Sequence, residues 1–177
     1  MIETTRLIIR PLKTDDETDI QSIFDHPRFY YLDAEYAANN AAKFLRKYIE
    51  LHNEDASRGT VLLALAAVLK STNTVIGCFS LGNDHLLSRL SEYGAEVTGF
   101  LHPHFWGKKF PQEVLDTCLT AYAQKFGVKN FYGTADPTNK SSIAVMRRFG
   151  FQKAESITNP LEIKLYGSPR EVYVTHL

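Results

Sequence analysis

Short apolar blocks separated by polar turns run through the N-terminal part of the chain and predict one strand followed by one helix. Thr5–Leu12 has the branched apolar content of a strand and contains a proline near its end, which cannot donate to a β-ladder. Thr14, followed three residues later by Glu17, is the pattern of a capping box at a helix N-terminus. The helix that follows is expected to stop before Pro27.

The next part of the chain predicts a second helix and a β-hairpin. Apolar residues at helical spacing indicate a helix from about Glu35 to Asn53, and Asp55–Gly59 is polar enough for a turn. Two apolar runs, Thr60–Lys70 and Thr74–Leu81, are joined by a short polar segment, which is typical of a hairpin. A polar loop is expected from Gly82 to Tyr93.

Strands and helices alternate in the second half of the chain. A strand from near Gly94 is closed by Pro103, a helix begins at Pro111, and Gly127 ends that helix. One face of this helix is apolar and consists of Val114, Leu115, Cys118, Leu119 and Tyr122. The remaining predicted elements are a strand at Asn130–Ala135, a helix at Ser141–Arg148, and strands at Phe151–Ile157 and Glu171–Leu177. Strands grouped first and then alternating with helices predict an α/β fold, with a mixed sheet covered by helices on both faces.

Length and composition fit one globular domain over residues 1–177, with 44% hydrophobic and 23% charged residues. Lys plus Arg total 20, as do Asp plus Glu, so charge favours neither a nucleic-acid partner nor a membrane partner. The N-terminus lacks the pattern of a signal peptide, and Cys78 and Cys118 lie in apolar stretches, as buried free thiols would. We therefore expect a cytoplasmic protein.

The segment between the strand closed by Pro103 and the helix that starts at Pro111 is the first candidate site. It reads Trp106-Gly107-Lys108-Lys109-Phe110. Backbone N–H groups at a helix N-terminus bind anions, glycine allows close approach of the backbone, and the two lysines add positive charge. The segment therefore predicts a cradle for a pyrophosphate group.

Residues 95–113 resemble the acetyl-CoA-binding segment of the GNAT acetyltransferase superfamily, most closely in the branch of the ribosomal-protein alanine N-acetyltransferases. The matching positions are Ala95, Glu96, Val97, Leu101, His102, Pro103, Phe105, Trp106, Gly107, Lys108, Phe110 and Glu113. Lys109 stands where the family has a second glycine, and Pro111 where it has alanine. The resemblance implies a GNAT fold with a mostly antiparallel mixed sheet, acetyl-CoA as co-substrate, and acetyl transfer to a primary amine. The cofactor-binding residues that it implies are Phe100, Leu101, Trp106, Gly107, Lys108, Lys109, Phe110, Pro111, Asn139 and Ser142.

A second segment, Asp136–Phe151, resembles the family motif N-x-x-S/A-x-x-[VL]-x-x-x-G-F. Asn139 would offer its side-chain amide to the pantetheine arm, cap the following helix, or do both. Ser142 stands where relatives of the ribosomal branch place a serine near the thioester sulfur, and Met146 stands where other branches use a tyrosine. The resemblance makes Ser142 the side chain that acts on the leaving thiolate, with a merely structural first-turn serine as the alternative.

Glu96 is the candidate general base, since it matches the acidic position of the family on the strand beside the cofactor. It would take a proton from the incoming ammonium through a water. The alternative is a surface carboxylate paired with a lysine, and His102 is a rival base. Backbone N–H groups near Gly99–Leu101 are expected to polarise the thioester carbonyl, with Gly99 forming a β-bulge.

The acceptor is the part of the reaction that the sequence determines least. Phe29, Tyr30 and Tyr31 are candidates to line its groove, with Asp33 and the loop 82–93, although these aromatics would serve equally well as packing between helices. A protein or peptide N-terminal amine is the leading acceptor, and a polyamine or an amino-bearing antibiotic is the alternative. A GNAT-fold module that binds CoA or a partner with weak or no catalysis is a further hypothesis. The sequence indicates no metal site, and homodimer formation is left open.

Overall fold

The computed structural model describes residues 1–29, 40–58, 62–82, 94–155 and 170–177. The strands in these ranges are β1 (Ile2–Glu3), β2 (Leu7–Pro11), β3 (Leu63–Leu69), β4 (Thr74–Gly82), β5 (Ala95–Leu101), β6 (Asn130–Ala135), β7 (Gln152–Lys153) and β8 (Glu171–His176). The helices are α1 (Glu17–Phe24), α2 (Ala41–Arg58), α3 (Phe110–Phe126) and α4 (Lys140–Arg148), with 3-10 turns at Thr14–Asp16 and Pro103–Phe105. None of the described helices combines the length and the apolar character needed to cross a lipid bilayer.

The eight described strands form one sheet in the order β1-β2-β3-β4-β5-β6-β8-β7. Neighbouring strands are antiparallel except β5 and β6, which are parallel. β5 pairs with β4 from Glu96 to Leu101, whereas its ladder with β6 joins only residues 95–96 to residues 131–132. The two parallel strands therefore separate and leave a gap between Val97–Leu101 and Gly133–Ala135, which we call the wedge.

Helices cover both faces of the sheet, as the sequence predicts. On one face, α3 buries the predicted apolar residues Val114, Leu115, Cys118, Leu119 and Tyr122, and α4 adds Ile143 to the same core. On the other face, α1 and α2 bury Ile20, Ile23, Phe24, Phe44 and Leu45 against β3 and β4. Each fully buried side chain of this size contributes roughly 1.5–3 kcal/mol to the free energy of unfolding. The central strands are thus held from both sides, which fixes the backbone that borders the wedge.

The two cysteines are free and buried, as their apolar surroundings predict. Burial raises the pKa of the Cys118 thiol to about 11, and it raises the pKa of Cys78 further. Both thiols therefore stay protonated at neutral pH and belong to the core.

The start of α1 differs from the predicted capping box. The capping box belongs to the 3-10 turn Thr14–Asp16 that precedes α1, where the Asp16 carboxylate accepts the backbone N–H of Lys13 at 2.9 Å. The Asp16 carboxylate also accepts two hydrogen bonds from the Arg10 guanidinium, at 2.9 and 2.6 Å. A buried carboxylate with a guanidinium partner outcompetes the local pattern, because the ion pair satisfies its charge as well as its hydrogen bonds.

Two further differences concern element bounds. Helix α2 continues through most of the predicted turn Asp55–Gly59, as far as Arg58. Strand β1 was not predicted, because two residues carry no periodic signal. The predicted helix start at Glu35 and most of the loop 82–93 lie outside the described residues.

Candidate active site

The topology brings the two candidate segments together. The Trp106–Phe110 segment follows β5, and the Asn139 segment follows β6. Since β5 and β6 are parallel neighbours, their carboxyl ends lie at the same edge of the sheet, where the strands have separated. The wedge is therefore bordered by both segments, although more than twenty residues of helix α3 and its flanks separate them in sequence.

The segment Trp106–Phe110, which we call the phosphate turn, is fastened to β5 at its start. The Trp106 indole N–H donates to the Leu101 carbonyl at 2.9 Å, while the Trp106 ring is 36% exposed. Gly107 has φ +75°, and a Cβ there would meet nothing within 4 Å. The glycine is therefore required by backbone conformation and not by lack of space.

The N–H groups of the phosphate turn point to an anion site. Hydrogen bonds of the described residues leave the N–H groups of Gly107, Lys108, Lys109 and Phe110 without an acceptor. Pro111 has no N–H to contribute, as the sequence predicts. Unpaired donors at a helix N-terminus, beside two exposed lysines, have the chemistry that a pyrophosphate requires.

Lys109, which stands where the family pattern has a second glycine, adopts the left-handed conformation that glycine accommodates without strain. It is the residue before α3, with φ +62° and ψ +19°. A side chain with a Cβ disfavours this region by about 1 kcal/mol. The departure from the family pattern is therefore accommodated as backbone strain.

Replacing Lys109 with glycine is expected to stabilise the protein by about 1 kcal/mol, because glycine adopts positive φ without strain. Urea unfolding of the wild type and of Lys109→Gly measures the change. Lys108→Gly is the matched control, since it removes the same charge where φ is not positive. Equal shifts in both variants would show that positive φ at Lys109 carries no strain.

A cluster of three side chains that the sequence did not predict links the N-terminal segment to the phosphate turn and to the start of α3. Arg6 donates from Nε to Glu113 Oε2 at 2.7 Å and from Nη1 to the Lys108 carbonyl at 3.0 Å. Glu113 Oε1 also accepts from the Thr4 hydroxyl and from the Arg6 backbone N–H. We call Thr4, Arg6 and Glu113 the N-terminal clamp. No local pattern predicts it, because Thr4 and Arg6 lie more than a hundred positions from Glu113 in sequence.

Asn139 caps helix α4. Its Oδ1 accepts the Ser142 backbone N–H at 3.1 Å, so the capping role that the sequence offered is confirmed. The oxygen is thereby engaged, and the amide N–H₂ is the remaining donor. Ser142 lies half-buried in the first turn of α4, and its hydroxyl makes no hydrogen bond within the described part of the chain.

Glu96 occupies the apex of the wedge. It lies opposite Gly82 of β4 and Tyr132 of β6, in the last pair before β5 and β6 separate. The residue is 7% exposed. Side chains two apart on a strand share a face, so Glu96 projects to the same side as Phe100, toward the α1–α2 layer. The structure therefore places this carboxylate in the interior and not on a solvated surface strand.

Gly99 does not form the predicted bulge. Its register with β4 is continuous, and a Cβ on Gly99 would lie 2.5 Å from Phe79 Cδ1. The Phe79 ring therefore explains the glycine. The bulge lies instead in β4 at Ile76, which is left over between the pairs Ala67–Gly77 and Val68–Val75.

The side chains of Phe100 and Phe110 are engaged in packing. Phe100 contacts Phe24 and Phe29, with ring centroids 5.7 and 5.3 Å apart. Phe110 lies beneath Arg6, whose Cζ is 3.9 Å from the ring centroid. Any part that these residues take in cofactor binding must therefore come from their backbone groups. Phe29 packs in the same aromatic cluster, while Tyr30, Tyr31 and Asp33 lie outside the described residues.

His102, the rival base, belongs to a cluster of imidazoles at the end of β5. Its ring centroid is 5.1 Å from that of His26 and 4.8 Å from that of His104. Burial lowers the pKa of His102, and the neighbouring His104 and His26 lower it further. Its Nδ1 accepts the His104 backbone N–H at 3.2 Å. Across the described ranges, no group of three or more His, Cys, Asp or Glu side chains is arranged to hold a metal ion.

Comparisons with known proteins agree with this architecture. A ribosomal-protein-S5-alanine acetyltransferase from Vibrio fischeri superposes with a TM-score of 0.76 at 18% identity, over 99% of this chain and 95% of that chain. RimL, a ribosomal L7/L12 alpha-N-protein acetyltransferase solved with coenzyme A, gives 0.77 at 18% identity, over 98% and 96%. RimJ of Mycobacterium smegmatis, in complex with CoA-disulfide, gives 0.74 at 15% identity, over 95% and 80%. These TM-scores establish a common fold. A family model described as acetyltransferase (GNAT) domain matches residues 6–152, and the chain therefore belongs to the GNAT acetyltransferase family.

Proposed function

We propose that the protein transfers an acetyl group from acetyl-CoA to a primary amine, with a protein or peptide N-terminus as the acceptor. The observation that carries this proposal is the wedge, which opens between the two segments that the family resemblance assigns to the co-substrate. Its apex holds a buried carboxylate, Glu96. The buried free thiols of Cys78 and Cys118 are compatible with a cytoplasmic location.

The residues around the wedge fit acetyl-CoA. The unpaired N–H groups of Gly107–Phe110 and the charges of Lys108 and Lys109 suit the pyrophosphate. The separated edges of β5 and β6 suit the pantetheine arm, whose amides would hydrogen-bond to a strand edge as an added strand does. The free amide N–H₂ of Asn139 would donate to the same arm.

Acetyl-CoA, when bound, supplies the acetyl group as a thioester. Glu96 would accept, through a water, the proton that the acceptor ammonium must lose before its nitrogen can attack. Backbone N–H groups of Gly99–Leu101 would stabilise negative charge on the carbonyl oxygen. The Ser142 hydroxyl would donate a hydrogen bond to the departing sulfur.

The acceptor class is inferred from similar folds. RimL and the S5-alanine enzyme are described as protein acetyltransferases, and both match this chain over almost the whole length of each partner. A protein N-terminus is the acceptor that this likeness favours. A polyamine or an amino-bearing antibiotic is the competing class, and a CoA-binding or partner-binding module with weak or no catalysis is the other alternative.

Titration calorimetry with acetyl-CoA tests the co-substrate site. Asn139→Ala is expected to weaken binding about tenfold, because it removes one hydrogen bond to the ligand. The matched control is Asn139→Asp, which keeps an oxygen to cap Ser142 and lacks the amide donor. We expect both variants to weaken binding.

Two outcomes of this titration would contradict the proposal. Wild-type affinity in Asn139→Asp would mean that Asn139 serves only as a cap. No heat from the wild type at millimolar acetyl-CoA would exclude the enzyme and favour the non-catalytic module. The acceptor is then identified by thiol release with peptide N-termini, spermidine and amino-bearing antibiotics, and release with small amines alone would overturn the N-terminal assignment.

A further inference from the structure

We infer that Arg6 is a positioning residue for acetyl-CoA, which holds the phosphate turn in its binding conformation and neutralises a carboxylate beside it. The inference rests on the proposed co-substrate site at this turn. Arg6 lies just before β2, about a hundred positions from the turn in sequence. It would act through the backbone of the turn and would not contact the reacting atoms.

The first line of evidence is where the Arg6 contacts fall. Its guanidinium donates to the Lys108 carbonyl and lies 3.9 Å over the Phe110 ring, and its Nε donates to Glu113. These contacts lie on both sides of Lys109, the residue with φ +62°. Strained backbone persists where its surroundings over-determine it, and the Arg6 side chain supplies that restraint on both sides of the strained residue.

The second line of evidence is electrostatic. Glu113 lies in the first turn of α3, next to the donors proposed to bind pyrophosphate, where an unpaired carboxylate would repel an anion. Burial on its own raises the pKa of Glu113, but hydrogen bonds from Thr4 and Arg6 outweigh it and bring the pKa below its ordinary value. Glu113 is therefore charged at neutral pH. The Arg6 guanidinium is the cation that compensates it.

A purely structural role predicts a different result from a positioning role. The Arg6 side chain is 40% exposed and that of Glu113 16%, so this ion pair belongs to the partly solvated class that contributes little to overall stability. Loss of Arg6 is instead expected to lower the fraction of molecules with a competent turn. The apparent dissociation constant rises in proportion to that loss, while turnover of bound co-substrate is kept.

The decisive variant is Arg6→Met, which keeps an apolar stem and removes the guanidinium. We expect the acetyl-CoA dissociation constant from calorimetry, and the KM, to rise about tenfold, with kcat changed by less than about twofold. In ligand-free protein, hydrogen exchange of the Glu113 and Val114 amides is expected to quicken about tenfold, since these amides close the first turn of α3.

Lys70→Met is the matched control. Lys70 is a half-exposed cation that donates to the Thr4 carbonyl at 2.7 Å and pairs with Glu3 at 3.0 Å. Its loss therefore removes the same charge from a side chain that contacts the N-terminal segment. Binding and exchange in this variant are expected to match the wild type. Arg6→Lys is the second variant should Arg6→Met fold poorly. Its ammonium cannot reproduce the fork to Glu113 and Lys108, so we expect an intermediate affinity.

A background with Lys109→Gly separates positioning from a general charge effect. Glycine adopts the turn conformation without restraint, so Arg6→Met should change the dissociation constant by less than about threefold in that background. A full tenfold loss of acetyl-CoA affinity in that background would show that Arg6 does not act by restraining Lys109.

Two further outcomes would overturn this inference. Wild-type protein that takes up no acetyl-CoA would overturn the proposed function and this inference together. Wild-type protein that binds, beside an Arg6→Met variant with equal affinity and equal exchange, would overturn this inference alone.

Discussion

Glu96→Gln is expected to lower kcat about a hundredfold while leaving the affinity for acetyl-CoA within about twofold of the wild type. Glutamine has the same shape and keeps hydrogen-bonding atoms, but it cannot accept the proton of the acceptor ammonium. Glu96 lies at the apex of the wedge and is buried, so the change acts where the two parallel strands separate. Thiol release under saturating acceptor measures kcat, and calorimetry measures cofactor affinity.

The pH dependence distinguishes proton removal from a structural effect. An α-amino group has a pKa of about 8, so above that pH most of the acceptor is already neutral and the defect of Glu96→Gln should shrink. His102→Gln is the comparison variant for the rival base. Unchanged turnover in Glu96→Gln, with a large loss in His102→Gln, would transfer the role of base to the imidazole.

Elements with strong local signals are the ones that the sequence predicts well. Strand β6 has the predicted bounds, and α3 begins one residue before the predicted Pro111 and ends before Gly127. Proline fixes φ where the helix starts, glycine adopts the left-handed conformation where it ends, and the apolar face of α3 repeats with helical spacing. These signals act between residues that are near in sequence, so they can be recognised without the fold.

Features that depend on distant partners were missed. The glycine at position 99 is explained by Phe79 of the neighbouring strand. The hydrogen bond between Thr4 and Glu113 joins residues 109 positions apart. Nothing local to either segment indicates such contacts, because burial and charge compensation are decided only when the sheet and helices pack.

The candidate site is intermediate between these cases. The family resemblance predicts the phosphate turn and the Asn139 segment separately, and the parallel pairing of β5 with β6 explains why they border one gap. Lys109 illustrates the limit. Its sequence position indicated a missing glycine, but the positive φ and the N-terminal clamp that spans it are properties of the folded chain.

Gly77→Ala is expected to destabilise the protein by about 3 kcal/mol and to lower activity as well. A Cβ on Gly77 would clash with the Phe100 carbonyl oxygen and lie 2.5 Å from Leu101 Cδ2. The backbone oxygen cannot rotate away, so β5 itself would have to move. The Phe100–Leu101 backbone borders the wedge and is proposed to polarise the thioester carbonyl. Urea unfolding measures the stability change, and thiol release measures the activity of the folded fraction.

Gly133→Ala is the matched control on the opposite side of the wedge. A Cβ there would meet Met146 Sδ at 3.0 Å and the Val97 carbonyl oxygen at 3.2 Å. Because the closer atom belongs to a flexible thioether, most of the overlap is relieved by a side-chain rotation, and we expect a loss of about 1 kcal/mol or less. Equal losses in the two variants would mean that added volume anywhere beside the wedge is harmful. A loss confined to Gly77→Ala would show that the close approach of β4 to β5 fixes the backbone on which the proposed chemistry depends.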